Sequence, residues 1–307
     1  MTGATELQEA AQPGSPGIVR STAGLGVMPR RTPEDIVAEA IERYKPIAIY
    51  AGFSGGNDSR AVTHWMMNNV PGCQALHINT GIGIEASRQY VRDTCKTQGW
   101  PLTEIRAKED CGEDYDANVL RHGFPGPDGH QFMYRRLKER AVYALVKRAK
   151  VGHPRSAKVL IATGVRHDES VRRMGYAGRE INKTRAQIWT NPIYWWSKAE
   201  RDAYNGASGL PENSVAKQLG MSGECGCGAF AHPGELAKWR AIDPSFGERI
   251  DRLQGECLAR GFTWGWEGRP PKGGFNRNQL ALFEHPLCVG CEKSAIVKSE
   301  LADEVFS

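Results

Sequence analysis

The chain has 307 residues, 40% of them hydrophobic and 24% charged, with a formal net charge of +5. That length admits one large domain or two small ones, and the balance is that of a globular protein, which excludes a fibrous or wholly disordered chain. No apolar run is long enough to cross a bilayer, and the N-terminus lacks the basic-then-apolar pattern of a secretory leader. A cytoplasmic protein with no membrane partner is expected.

Residues 1–31 are rich in Gly, Pro, Ser, Thr and Ala without periodicity, which predicts a disordered segment. Thr32-Pro33-Glu34-Asp35 predicts a helix start, with a Thr cap, Pro at the first position and acids in the first turn; the helix runs to Tyr44. Residues 46–52 form an apolar run that reads as a buried strand, and Ala61, Val62, Trp65 and Met66 recur at helical spacing after it. Between them lies Ser54-Gly55-Gly56-Asn57-Asp58-Ser59. Strand, glycine turn and helix form an anion cradle: glycines let the backbone approach, and the first N–H groups and positive dipole end of the helix face the ligand. Ser54 and Ser59 add hydroxyls, and Asp58 can hold a magnesium ion. The same residues would also serve a plain turn; only the flanking context favours the phosphate site. No Lys follows the glycines, so this is not a Walker A loop.

Residues 73–79 predict a second strand, ending in Thr80-Gly81, with a helix near 84–98 and a strand over 102–105. Residues 130–150 predict one long amphipathic helix with Tyr134, Leu137, Ala141, Ala144 and Leu145 on a stripe. Residues 158–162 predict another buried strand, leading into Gly164, Arg166, Ser170 and Arg173, whose planar guanidinium forks suit a second phosphate. Apolar strands alternating with helices imply an α/β fold, a doubly wound, mostly parallel sheet, over residues 32–196. Ligands of such sheets sit at the carboxyl ends of strands near the switch in strand order. Residues 197–307 read as an irregular C-terminal part with short helices, stapled by metal.

Two features remain. Nine Lys or Arg and a single acid lie between Arg135 and Lys158, which suits either a polyanion or a solvated helix face. Cys225-Gly-Cys227 and Cys288-Val-Gly-Cys291 form two close pairs, suited to a tetrahedral four-thiolate site holding a 4Fe–4S cluster or zinc. Cys73, Cys95, Cys111 and Cys257 lack such spacing and read as core residues.

Taken in order, these motifs resemble a known family. Ser54–Ser59 is similar to the SGGxDS PP-loop of the adenine-nucleotide alpha-hydrolase superfamily. Thr80-Gly81 and the Gly164-x-Arg166-x-x-x-Ser170-x-x-Arg173 segment resemble those of phosphoadenylyl-sulfate (PAPS) reductases. The approach from Asn191-Pro-Ile-Tyr-Trp195 to Ser222–Phe230 resembles the DNA-phosphorothioation and the mobile-element or CRISPR-associated members. The resemblance implies a site for ATP or PAPS with magnesium, built from Ser54, Gly55, Gly56, Asn57, Asp58, Ser59, Thr80, Gly81, Gly164, Arg166, Ser170 and Arg173. It gives catalytic roles to Asp58, Arg166 and Arg173, and it favours 4Fe–4S over zinc at Cys225, Cys227, Cys288 and Cys291.

The chain departs from the reductases at three places: Asn79 replaces the usual Asp, Met133-Tyr134 stands where cluster-bearing reductases have a cysteine pair, and no cysteine follows Cys291 to attack sulfate. The expected activity is therefore that of an ATP pyrophosphatase adenylating a substrate for sulfur or nitrogen transfer. The alternatives are sulfonucleotide reduction and a non-catalytic nucleotide- or nucleic-acid-binding role. Expected partners are an adenine nucleotide, a sulfur donor protein, a nucleic acid or ribonucleoprotein along 135–158, and a second copy in a homodimer.

Overall fold

The computed structural model describes residues 30–167 and 180–271. The first helix, α1 (Pro33–Tyr44), starts at the predicted cap: the Thr32 hydroxyl accepts the Asp35 N–H and the Asp35 carboxylate accepts the Thr32 N–H. The strands β1 (Ala48–Gly52), β2 (Cys73–Asn79), β3 (Leu102–Arg106), β4 (Val159–Ala162), β5 (Ile181–Thr184) and β6 (Gln187–Thr190) form one sheet in the order β3-β2-β1-β4-β6-β5. All neighbouring pairs are parallel except β5 with β6. The chain moves outward from β1 through β2 to β3 and then returns to place β4 on the other side of β1. The switch in strand order thus falls between β1 and β4, where this architecture opens a crevice.

Alternation along the strands divides the core. Ala51, Leu160, Ala162 and Ile188 pack with Val37 and Ala40 of α1 and Ala61, Val62 and Met66 of α2 (Asn57–Asn69) on one face. Tyr50, Leu76, Ile161 and Trp189 pack with Val142 and Leu145 of the later helix on the other. Both faces are covered, as a doubly wound sheet requires. A further core joins Ile82, Tyr115, Val119 and Leu137 to Trp239, Phe246, Ile250 and Trp266, so residues from both sides of the boundary expected at 196 pack in one apolar cluster.

Three elements differ from the sequence reading. The β5–β6 hairpin was not expected; its turn is Arg185-Ala186, with Arg185 at φ +56, and lacks the Asn or Gly that marks such turns. The long helix is interrupted: α6 (His130–Tyr134) passes through a π-helical turn, Arg135–Glu139, into α7 (Arg140–Ala149), and the Arg140 N–H bonds to Arg135 O. Such turns concentrate at functional sites. After 197 four helices, α8 (Lys198–Ala207), α9 (Ser214–Leu219), α10 (Glu235–Ile242) and α11 (Pro244–Ala259), alternate with non-helical stretches at 208–213 and 220–234, and only α11 is longer than the short helices expected. The last has 16 residues and buries Phe246, Ile250, Leu253 and Cys257 despite two internal glycines. The remaining helices are α3 (Glu85–Gln98), α4 (Ala107–Cys111) and α5 (Tyr115–His122). Among the described residues no helix is long and apolar enough to cross a membrane.

Candidate nucleotide site and cysteine loop

β1 hands the chain to the glycine loop. Phe53 extends the strand by one bond, its N–H donating to Leu76 O at 2.7 Å. Gly55 then turns at φ +82, and a Cβ there would lie 2.9 Å from Asn213 Nδ2. Asn213 caps α9 and donates to Gly55 O at 3.0 Å, so it pins the turn from outside. α2 starts at Asn57 behind Gly56, with no side chain capping its first N–H groups. A capped helix would have spent those donors; here they stay available to an anion. The Ser59 hydroxyl donates to Gly56 O at 2.9 Å and accepts the Ser54 hydroxyl at 3.1 Å, which folds the loop over the helix start.

A cavity opens here, lined by Ser54, Ser59, Thr163, Gly164, Lys138 and Glu224 among others. Its walls come from the ends of β1 and β4, at the switch point. Gly164 is required for this approach: a Cβ would sit 2.7 Å from the Asp58 carbonyl carbon.

Asp58 is held by two arginines through one of its oxygens. It is 6% exposed, and its Oδ1 accepts from Arg166 Nε at 2.8 Å and from Arg201 Nη1 at 2.9 Å. Arg166 and Arg201 are both 3% exposed. The three side chains form a buried ionic clamp joining α2, the β4 loop and α8. Arg166 is therefore engaged with Asp58 rather than directed only at a ligand. Arg201, which lies far along the chain, carries no sequence signal. Asn57 is tied to α8 too, its carbonyl accepting Asn205 Nδ2 at 2.9 Å.

Thr80 and Gly81 follow β2. Gly81 turns at φ +74, its N–H donates to Asn79 Oδ1 and its carbonyl accepts Arg249 Nη1 at 2.7 Å. Thr80 is fully buried and bonds to Glu224, through its N–H at 2.8 Å and its hydroxyl at 3.1 Å. The second Glu224 oxygen faces Arg88 Nε at 3.2 Å and His77 Nε2 at 3.4 Å. Burial opposes the Glu224 charge, but His77 and Arg88 outweigh it and hold the carboxyl below the usual range. The same burial opposes a charge on His77, and Glu224 outweighs it in turn, raising that pKa. Glu224, His77 and Arg88 carry no motif of their own; the place of Glu224 beside Cys225 is the one sequence signal that could single it out.

Cys225 and Cys227 share a second cavity with His130, Lys138, Phe230 and Trp239. Their loop is packed to its limit. A Cβ at Gly226 would meet Phe246 and Trp239 at 2.7 Å. Trp266 Nε1 donates to Gly226 O at 2.7 Å and the Tyr115 hydroxyl to Cys227 O at 3.0 Å. Met133 and Tyr134 border a further cavity together with these two cysteines. Among the described residues no three His, Cys, Asp or Glu side chains form a metal-binding group. Cys288, Cys291, Ser170 and Arg173 lie outside the described residues. Cys73 and Cys95 are buried, which pushes their thiols up to about 12. Cys257 is fully buried and donates to Val119 O.

The basic stretch is partly neutralised. Arg136 and Arg140 pair with Glu113, and Arg148 pairs with Asp110, while Lys147 and Arg155 are exposed.

Comparison with known proteins adds to this geometry. Over 83 residues the chain is 40% identical to the tRNA-5-methyluridine(54) 2-sulfurtransferase of Pyrococcus horikoshii, a match covering 25% of this chain and 26% of that protein. The chain thus spans about a quarter of that relative's length. It is similar in shape to PAPS reductase from Candida auris in its phosphate complex, at 17% identity and TM-score 0.46, over 62% of this chain and 86% of that one. It is also similar to the U34-tRNA thiolase of Methanococcus maripaludis with its 4Fe–4S cluster, at 13% identity and TM-score 0.34, over 75% and 78%. The sequence profile of the phosphoadenosine phosphosulfate reductase domain matches residues 48–221, from the start of β1 to the edge of the cysteine loop. Over more than half of its length, the chain belongs to the phosphoadenosine phosphosulfate reductase domain family.

Proposed function

We propose that the cleft between β1 and β4 binds ATP and that the protein adenylates a substrate for sulfur or nitrogen transfer, releasing pyrophosphate. The observation that carries this is the intact Ser54–Ser59 loop at an uncapped helix start, facing a cavity at the switch point. The backbone N–H groups of residues 56–59 supply donors fixed before the ligand arrives, and the two serine hydroxyls, bonded to Gly56 O and to each other, hold the loop that presents them, so little reorganisation is needed as charge builds on the leaving pyrophosphate. The Asp58–Arg166–Arg201 clamp holds the loop in place, and catalysis is mainly positioning. The sulfurtransferase named among the relatives supports sulfur as the incoming atom.

Asp58 Oδ1 is taken by two guanidinium groups, so its Oδ2 is the oxygen that would help hold a magnesium ion brought by the nucleotide. The cysteine loop fits half of a four-thiolate site: two thiols lie on one tightly packed loop beside buried aromatic rings, an apolar surround suited to soft ligands. Cys225 and Cys227 would hold a 4Fe–4S cluster or zinc together with Cys288 and Cys291. With four thiolates every iron is ligated, so such a cluster would supply a structural staple or an electron-transfer centre, and zinc there would be structural.

Ligand-dependent melting tests the reading. ATP with magnesium at a hundredfold excess over its Kd should add about 2.7 kcal/mol of stability. Stabilisation by PAPS but not by ATP would overturn the ATP reading in favour of sulfonucleotide reduction.

A further inference from the structure

Glu224 belongs to the nucleotide cleft and to the cysteine loop at once. It is 2% exposed, it lines the cavity with Ser54 and Gly164, and the next residue, Cys225, lines the neighbouring cavity. The segments 80–84 and 223–226 are laced together around it. The Thr80 hydroxyl donates to the Glu224 carbonyl at 2.7 Å, the Ile84 N–H to Gly223 O at 2.9 Å and the Gly226 N–H to Ile82 O at 2.8 Å. A Cβ on Gly83 would lie 2.5 Å from the Glu224 carbonyl oxygen, so the two backbones touch. Ser87 bonds to the Ser222 carbonyl, and Asn213 bridges Ser87 to the Gly55 carbonyl of the glycine loop.

The two oxygens of the Glu224 carboxylate are held unequally. Oε1 accepts the Thr80 N–H at 2.8 Å. Oε2 accepts Arg88 Nε at the longer distance of 3.2 Å and lies 3.4 Å from His77 Nε2, and both His77 Nε2 and Arg88 Nη2 are buried with no hydrogen-bond partner among the described residues. A tighter arrangement of the same groups is therefore within reach, and a ligand that favours it shifts the loop.

We propose that Glu224, anchored on Thr80, is a positioning residue that couples the two cavities: filling the nucleotide cleft draws its carboxylate onto His77 and Arg88 and so fixes the loop that carries Cys225 and Cys227. This rests on the reading of the cleft as an adenine-nucleotide site. Coupling between sites typically amounts to ~5- to 150-fold in affinity.

The test is amide hydrogen exchange of residues 222–229 in the full-length protein, with and without ATP–Mg, which reports local opening whatever metal the cysteines hold. In the wild-type protein the nucleotide should slow exchange there about tenfold, within that range. In Glu224→Gln, which keeps an acceptor for Thr80 but loses the charge facing His77 and Arg88, the slowing should fall below about twofold when measured at ATP concentrations that saturate the variant. Should that variant fail to fold, Thr80→Val, which removes only the hydroxyl bonds, should show the same loss of slowing in lesser degree. ATP binding that leaves 222–229 unchanged overturns the inference and spares the reading of the cleft. Full slowing in both variants also overturns it, since the coupling then runs elsewhere. Failure of both ATP and PAPS to bind the wild-type protein removes the cleft reading and the inference together.

Discussion

The glycine loop and the cysteine loop lie side by side and are shaped by different forces. Ser54–Ser59 takes its form mostly from itself: Gly55 at φ +82, Ser59 bonded back to Gly56, and a helix beginning at the next residue. The cysteine loop takes its form from side chains far along the chain, with Tyr115, Trp239, Phe246 and Trp266 filling the space around Gly226 and bonding its carbonyls. One loop is stable because its backbone is pre-set, the other because side chains brought from other elements pack around it. Damage should therefore spread differently from each.

The largest effect is expected where the glycine loop does depend on distant partners. Asp58→Ala leaves Arg166 and Arg201 buried without their shared carboxylate, a loss of about 3–5 kcal/mol. Denaturant unfolding should show a large drop in midpoint. An unchanged midpoint would mean that Asp58 serves a ligand and not the fold.

Two glycine substitutions then compare the loops directly. Gly226→Ala drives a methyl into packed Trp239 and Phe246 rings, and Gly164→Ala drives one into the Asp58 backbone. Each should cost about 1–3 kcal/mol. The consequences should separate: Gly164→Ala weakens ATP binding and spares the environment of the cysteines, as read by tryptophan fluorescence near Trp239, while Gly226→Ala alters that fluorescence first. Equal loss of both properties in both variants would erase the distinction between the loops.

This difference also decides what was legible in the sequence. Strands β1, β2 and β4 are short apolar runs, and α1 and α2 carry their own start signals, so they stand in the sequence within a residue or two. The β5–β6 hairpin escapes because its turn lacks Asn or Gly and β5 is half polar. The site follows the same division. Ser54, Ser59 and Gly164, which line one cavity, stand out in local pattern. Arg201, Glu224, His77 and Arg88 do not, because each acts through a partner that only the fold brings near. Asp58 shows the complement: its position in the motif suggests a metal ligand, and only the structure reveals the two guanidinium groups bonded to its Oδ1.

The smallest effect concerns the outer edge of the β2 end, where the charges are partly exposed. Glu104 receives Arg92 at 2.8 Å and Asn79, which in turn holds the Gly81 N–H. Its hydrogen bonds with Arg92, opposed by partial burial, lower its carboxyl to about 2 from the ordinary 4.5. A lowered folded-state pKa adds stability that is fully present above 4.5 and lost as pH falls through about 2. The wild-type protein should exceed Glu104→Gln in stability near neutral pH by about 1 kcal/mol or less, and the gap should close on acidification across that window. Because Thr80 is held from below by Glu224, nucleotide affinity in Glu104→Gln should change less than twofold, in keeping with about 0.4 kcal/mol or less. A larger loss would show that the Thr80-Gly81 turn depends on its surface as well as on the buried carboxylate.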